Sequence, residues 1–292
     1  MTPLPRTSWG AYRTSGAPPV GACTWIYGDA PLEETLARIA AAGCDAVELP
    51  GEPDRFDPAA LRTRLARHRL APVALTASCK SPETRRDLAH PDPTVRRDAV
   101  AHVSRCLAFA AEVGVPIVQM LPSGETRLAP FGERDEEWRW SVEAMRTAAA
   151  EAERVGVRLA VEPINRYETY LVTSVATALA YLDAVGSPWI GLTIDLYHAN
   201  IEERTIAGAI RAAGPRLWHV HLADTNREGL GRGHLDLDGC LAALRDAGYA
   251  GALVLEMTAP GPDPFTPIKD GRSAGIVDGY LRESVARLRA AR

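Results

Sequence analysis

Eight short, nearly continuous apolar runs recur along the chain, alternating with helix-like stretches. The runs are VGACTWI (20–26), DAVEL (45–49), APVALTA (71–77), VPIVQML (115–121), VRLAVE (157–162), WIGLTID (189–195), LWHVH (217–221) and ALVLE (252–256). Runs of this length without in–out alternation fit parallel strands covered on both faces. Between them, 31–43 opens on Pro31 and closes on Gly43, the asymmetry expected of a helix. The stretch 92–114 begins with an Asp92–Pro93 cap and ends at Gly114, and 135–156 carries acids in its first turn, where the helix dipole favours them. Further helices are expected over 174–185, 203–213, 237–247 and 272–291. Strand followed by helix, repeated around the chain, predicts a (β/α)8 barrel, an α/β fold. The same alternation also builds a doubly wound sheet, because periodicity does not encode closure. No linker, composition break or low-complexity segment divides the chain, so a single domain is expected over 19–292.

Four of the runs end on an acid or an imidazole: Glu162, Asp195, His221 and Glu256. Such a group at the end of a buried strand costs several kcal/mol unless something compensates it. Barrel active sites lie at the C-terminal strand ends, so strands five to eight can bring these residues to one point. One shared compensator, a divalent cation, then serves all four. Three carboxylates and an imidazole suit Mn²⁺, Mg²⁺ or Co²⁺ better than structural zinc. Such an ion keeps positions open for two adjacent oxygens of a hydroxy-ketone or hydroxy-aldehyde and can stabilise an enediolate. Glu162 and Glu256, on opposite sides of the ion, are the candidate pair for proton removal and return. A lone acid at a strand end is more often a helix cap or a partner of loop amides; the weight rests on four in succession. His219 shares the face of His221 and is read either as a second ligand or as a hydrogen-bonded barrel histidine.

The following loops are polar. Asn165, Arg166 and Glu168 follow Glu162, His198 follows Asp195, and Asp224, Asn226, Arg227, His234 and Asp236 follow His221. For Arg166, Asp224, Glu202 and Glu203 solvated loop charge suffices, whereas His198 and Arg227 stand close enough to a proposed ligand to bind sugar hydroxyls. GLGRG (229–233) is neither a P-loop nor GxGxxG and is not read as a phosphate cradle.

A net charge of −4 offers no basic face for nucleic acid. No apolar run approaches the length needed to span a membrane, and residues 1–18, rich in Pro, Gly, Ser and Thr, read as a flexible tail without a signal-peptide core. Five scattered cysteines without CxxC spacing are expected as free thiols in the cytoplasm.

The stretches EPINRYETY, TIDLYHANIEE, AIRAAGPRLWHVHLADTNREGLGRGH and GYAGALVLEM (within 156–257) resemble the xylose-isomerase-like TIM-barrel superfamily, and within it the ketose 3-epimerases of the D-tagatose/D-psicose type. The first half matches more weakly, through strand ends such as Trp25 and Glu48. The resemblance implies that Glu162, Asp195, His221 and Glu256 bind Mn²⁺ or a similar ion. It also implies that Glu162 and Glu256 exchange a proton at C3 through a cis-enediolate, and that Glu168, His198 and Arg227 hold a small sugar substrate. A homo-oligomer is expected. The alternative is a metal-dependent lyase on keto sugars, of the C-glycoside deglycosidase type with a partner subunit, or of the inosose dehydratase type. Endonuclease IV needs a larger histidine cluster than seven histidines provide here. GHLD (233–236) and the tail PGPDPFTPIKDGR (260–272) depart from the epimerase pattern and leave the substrate open.

Overall fold

All eight apolar runs become parallel strands, and the last pairs with the first. In the computed structural model, which describes residues 18–77 and 85–291, these are β1 Val20–Cys23, β2 Ala46–Pro50, β3 Ala71–Ala77, β4 Ile117–Met120, β5 Arg158–Val161, β6 Ile190–Asp195, β7 Leu217–Leu222 and β8 Leu253–Leu255. Each strand pairs with its successor and β8 pairs with β1, so the sheet is a closed barrel rather than a doubly wound sheet.

The helices are α1 Leu32–Ala41, α2 Pro58–His68, α3 Pro93–Val113, α4 Arg134–Val155, α5 Val175–Val185, α6 Leu196–Glu202, α7 Ile206–Ala213, α8 Leu237–Asp246 and α9 Ser273–Ala290. Side chains start several of them: Asp92 accepts from Thr94 N, Ser174 from Thr177 N and Asp236 from Gly239 N, each filling an otherwise empty donor position. Gly114, Gly156 and Gly186 close helices in the left-handed conformation.

Three details differ from the sequence reading. The first run stops being strand at Cys23 and turns into a 3-10 helix over Thr24–Tyr27, which brings Trp25 to the barrel rim. Helix α2 was not anticipated. It buries only Leu61 and Leu65, although Asp57 caps it through Ala60 N. Helix α6 occupies what reads as a polar loop, and Asp195 itself caps it through Tyr197 N.

At the opposite end from the strand-terminal acids, Trp218 packs inside the barrel with Ala74, Ile117 and Ala160. The absent side chain of Gly191 in β6 makes room for its indole, since a Cβ there would lie 2.3 Å from the ring. Cys23, Cys44, Cys106 and Cys240 are free and buried. Burial pushes the thiols of Cys44 and Cys106 up to about 12, which leaves them unreactive. Cys79 and residues 1–17 of the expected tail lie outside the described residues. Among the described residues no helix is long and apolar enough to cross a membrane.

Candidate metal centre at the barrel mouth

Glu162 directly follows β5, Asp195 ends β6, His221 is the penultimate residue of β7 and Glu256 directly follows β8. These strands pair in succession around the barrel wall, and one ligand atom from each residue falls within 4.8 Å of all the others. All four side chains are buried. His221 Nδ1 stands 3.1 Å from Glu162 Oε1 and 3.6 Å from Glu256 Oε2. Asp195 uses Oδ1 to cap α6, at 2.8 Å from Tyr197 N, while its buried Oδ2 receives no hydrogen bond, His198 Nε2 standing 3.5 Å away. A buried carboxylate oxygen without a donor is a costly arrangement, and a cation beside it removes that cost. The donor set therefore fits a divalent ion.

The electrostatics agree. Burial raises Glu162 to about 7, with His221 opposing and Glu256 and Glu48 adding to the rise. Burial, reinforced by Glu256 and Glu162, holds Asp195 well above the usual carboxylate range. Burial alone would lower His221, but the charges of Glu48, Glu256 and Glu162 outweigh it and raise it well above an ordinary imidazole. Without a cation the cluster retains protons that a ligand set must release.

The three residues assigned to substrate surround this centre. His198 on α6 and Glu168 beyond β5 are bridged by Asn165, whose Nδ2 lies 2.7 Å from His198 Nδ1 and 2.8 Å from Glu168 Oε1. Burial, with Arg227 and His221 nearby, keeps His198 well below an ordinary imidazole and so neutral. Arg227 lies in the left-handed region at φ 63°. Its guanidinium sits between the rings of Trp25 and Tyr197, at 5.1 and 4.9 Å from their centroids. It faces Glu256 Oε2 at 3.5 Å and Glu168 Oε1 at 3.8 Å. A cavity of about 340 Å³ opens over the cluster; Glu162, Glu256, His198, Arg227 and Trp25 line it.

Two nearby residues carry no role in the sequence reading. Gln119 in β4 donates to Glu162 Oε2. Glu48 in β2 accepts from Thr76, from His219 Nε2 at 2.5 Å and from His221 Nε2 at 2.9 Å. His219 is thus hydrogen-bonded inside the barrel, and its Nε2 faces Glu48 rather than the four-residue cluster. No local signal marks either contact, because the partners lie far apart in the chain, Gln119 on the neighbouring strand β4 and Glu48 across the barrel on β2.

The loop residues separate into different tasks. Glu202 receives the backbone N–H and the guanidinium of Arg166, both at the rim, and Glu203 accepts from Val175 N at the start of α5. Asp224 is not a solvated charge. It is buried and gathers the N–H groups of Thr225, Gly231, Arg232 and Leu235. Within GHLD, Asp236 caps α8 and His234 lies exposed against Thr225. The motif absent from the epimerase pattern therefore builds the loop and not the centre.

A closed (β/α)8 barrel with carboxylates and an imidazole converging at its C-terminal mouth defines a class of barrels built around a polar, cation-fitting pocket. Residues 36–282 match the family model described as "Xylose isomerase-like TIM barrel". The chain belongs to that family. It is 29% identical to the D-psicose 3-epimerase of Ruminiclostridium cellulolyticum over 235 residues, 78% of each chain. It is 31% identical to the L-ribulose 3-epimerase of Mesorhizobium japonicum over 226 residues, 77% of this chain and 75% of the other. The crystal structure of the Clostridium cellulolyticum H10 D-psicose 3-epimerase with D-tagatose superposes with a TM-score of 0.83 at 24% identity, covering 94% of this chain and 99% of that one.

Proposed function

We propose that this chain is a divalent-metal-dependent epimerase of a ketose or keto sugar, with Mn²⁺ the favoured ion and Mg²⁺ or Co²⁺ as substitutes. The observation that carries this reading is the unpartnered Asp195 Oδ2 within a four-residue oxygen-rich cluster, in a cavity that Arg227 and His198 also line. The 3-epimerase names of relatives that span most of the chain support it. Glu162, Asp195, His221 and Glu256 would hold the ion, and when bound it supplies charge stabilisation to two adjacent substrate oxygens.

The protein's own groups do the rest. One of Glu162 and Glu256 removes the proton from the carbon beside the carbonyl, and the other returns a proton to the opposite face, which inverts that carbon. Gln119 fixes the carboxylate of Glu162 through its second oxygen. Arg227, immobilised between two aromatic rings, and neutral His198 present donors to sugar oxygens, while Glu168 accepts from a hydroxyl.

The test incubates the Mn²⁺-loaded protein in D₂O with ketoses, inososes and 3-keto glycosides and follows products by NMR. Deuterium at the carbon beside the carbonyl with no fragment lost supports epimerisation. Glu162→Gln and Glu256→Gln should each slow exchange by about 10²–10⁴-fold. Loss of water or of an aglycone would replace this reading with a lyase, and absence of exchange in every substrate would overturn it.

A further inference from the structure

The pair Glu48 and His219 lies outside the four-residue cluster, yet it touches one member of that cluster from behind. Glu48 Oε2 is 2.9 Å from His221 Nε2 and 2.5 Å from His219 Nε2, while Thr76 Oγ1 donates to Oε1. Glu48 and His219 are both fully buried. The imidazoles of His219 and His221 meet edge to face, 4.9 Å between centroids at 85°.

We propose that Glu48 is the positioning residue of the metal centre: it holds the Nε2 proton of His221, so that Nδ1 is the nitrogen left to face Glu162, Asp195, Glu256 and an ion among them. This rests on the reading of that cluster as a metal site.

Hydrogen-bond accounting supports the assignment. An ionised carboxylate only accepts, so both histidines that meet Glu48 Oε2 donate from Nε2. For His219 this leaves Nδ1 as an acceptor, and Nδ1 is the buried atom of that ring with no partner. The opposite tautomer would strand a buried N–H there, which native structures rarely tolerate. For His221 the same proton placement leaves Nδ1, the nitrogen 3.1 Å from Glu162 Oε1, as the one able to ligate. Thr76 from β3 and His219 from β7 hold Glu48 from two sides, so its own rotamer is fixed before it orients His221. Both nitrogens lie within hydrogen-bond reach of the same oxygen, Glu48 Oε2, so the two imidazoles share one acceptor. Partners that fix the second nitrogen of a ligating histidine tune metal affinity in general, and their removal costs about 10–100-fold.

Two measurements test this. In the Zn²⁺-loaded, ¹⁵N-histidine-labelled protein, two-bond ¹⁵N–¹H correlations should show His221 protonated on Nε2 and metal-shifted on Nδ1. The reverse pattern overturns the proposal, and this reading needs no variant to fold. In titrations with Mn²⁺ alone, Glu48→Gln should weaken Kd by about 10–100-fold relative to the wild type. A Kd within twofold of wild type overturns it. A wild type that takes up no Mn²⁺ or Zn²⁺ overturns the metal-site reading itself, and this inference with it, whereas a change confined to the variant speaks to Glu48 alone.

Discussion

Asn165 fixes the tautomer of His198. The Asn165 Oδ1 accepts from Tyr167 N at 2.9 Å, which leaves Nδ2 as the donor 2.7 Å from His198 Nδ1. His198 therefore carries its proton on Nε2, the nitrogen that lies 3.5 Å from the unpartnered Oδ2 of Asp195. Asn165→Asp replaces that donor with an acceptor and sets a carboxylate beside Glu168. The loss of a buried hydrogen bond is worth about 1–3 kcal/mol, so kcat/KM should fall by about ten- to a hundredfold. Steady-state kinetics across pH check this; an unchanged kcat/KM would show that His198 does not need its tautomer fixed.

Metal binding should depend steeply on pH. Glu162 is raised from 4.5 to about 7 by burial, and His221 is raised by the surrounding acids. A group whose folded pKa exceeds its unfolded value binds more protons in the native state, so its contribution is fully present below the unfolded pKa and is lost as pH rises through the folded one. The metal-free protein should accordingly lose stability between about pH 4.5 and 7 from Glu162. Bound Mn²⁺ replaces those protons, so the Tm increase it produces should grow across the same window. Scanning calorimetry with and without Mn²⁺ at several pH values decides it. A metal-induced shift independent of pH would contradict the protonated cluster.

The strands and the four cluster residues were legible in sequence because buried parallel strands leave continuous apolar runs, and a charge that ends such a run stands out. Helix α2 was equally capped, by Asp57 and Pro58, but its two buried leucines leave too faint an apolar stripe to announce it. Helix α6 looked like a loop because it is short and largely polar; His198, one of its polar residues, lines the cavity. The links from Glu48 to His221 and from Gln119 to Glu162 span 173 and 43 residues. The first contact crosses the closed barrel from β2 to β7 and the second joins the paired strands β4 and β5, so no local pattern carries either. Asp224 misled in the other direction, since a loop aspartate that gathers backbone N–H groups has the same sequence signature as a solvated one.

Arg227→Lys should be a poor replacement. The planar guanidinium fills the slot between Trp25 and Tyr197 while reaching both Glu168 and Glu256. An ammonium is a point charge that cannot span these partners and stack at once. KM should rise by about tenfold, with Mn²⁺ affinity little changed because Arg227 is not among the four clustered residues. Kinetics paired with a Mn²⁺ titration separate the two effects.

Gly191→Ala tests the barrel floor independently of the site. The added methyl would meet the Trp218 ring at 2.3 Å, and forcing extra volume into a packed core typically costs about 1–3 kcal/mol. Denaturant unfolding should show this loss with the m-value unchanged. A neutral substitution would mean that Trp218 has space to move.

Asp224→Ala should reach Arg227 without reaching the cluster. Its two oxygens hold the N–H groups of Thr225 and Leu235 on one side and of Gly231 and Arg232 on the other, at 2.7–3.1 Å. The carbonyl of Asp224 also accepts from Arg227 N at 2.8 Å, and the carbonyl of Arg227 accepts from Thr258 N. These bonds keep Arg227 at its positive φ, a conformation that costs about 1–3 kcal/mol and persists only when its surroundings impose it. With the carboxylate removed, the loop loses its organising acceptor and Arg227 relaxes out of the aromatic slot. KM should therefore rise by about tenfold. His221 precedes the loop within β7 and keeps its strand pairing to β6 and β8, so the Kd for Mn²⁺ should stay within about twofold of wild type. An equal loss of metal affinity would show that the loop and the cluster are one cooperative unit, contrary to this division.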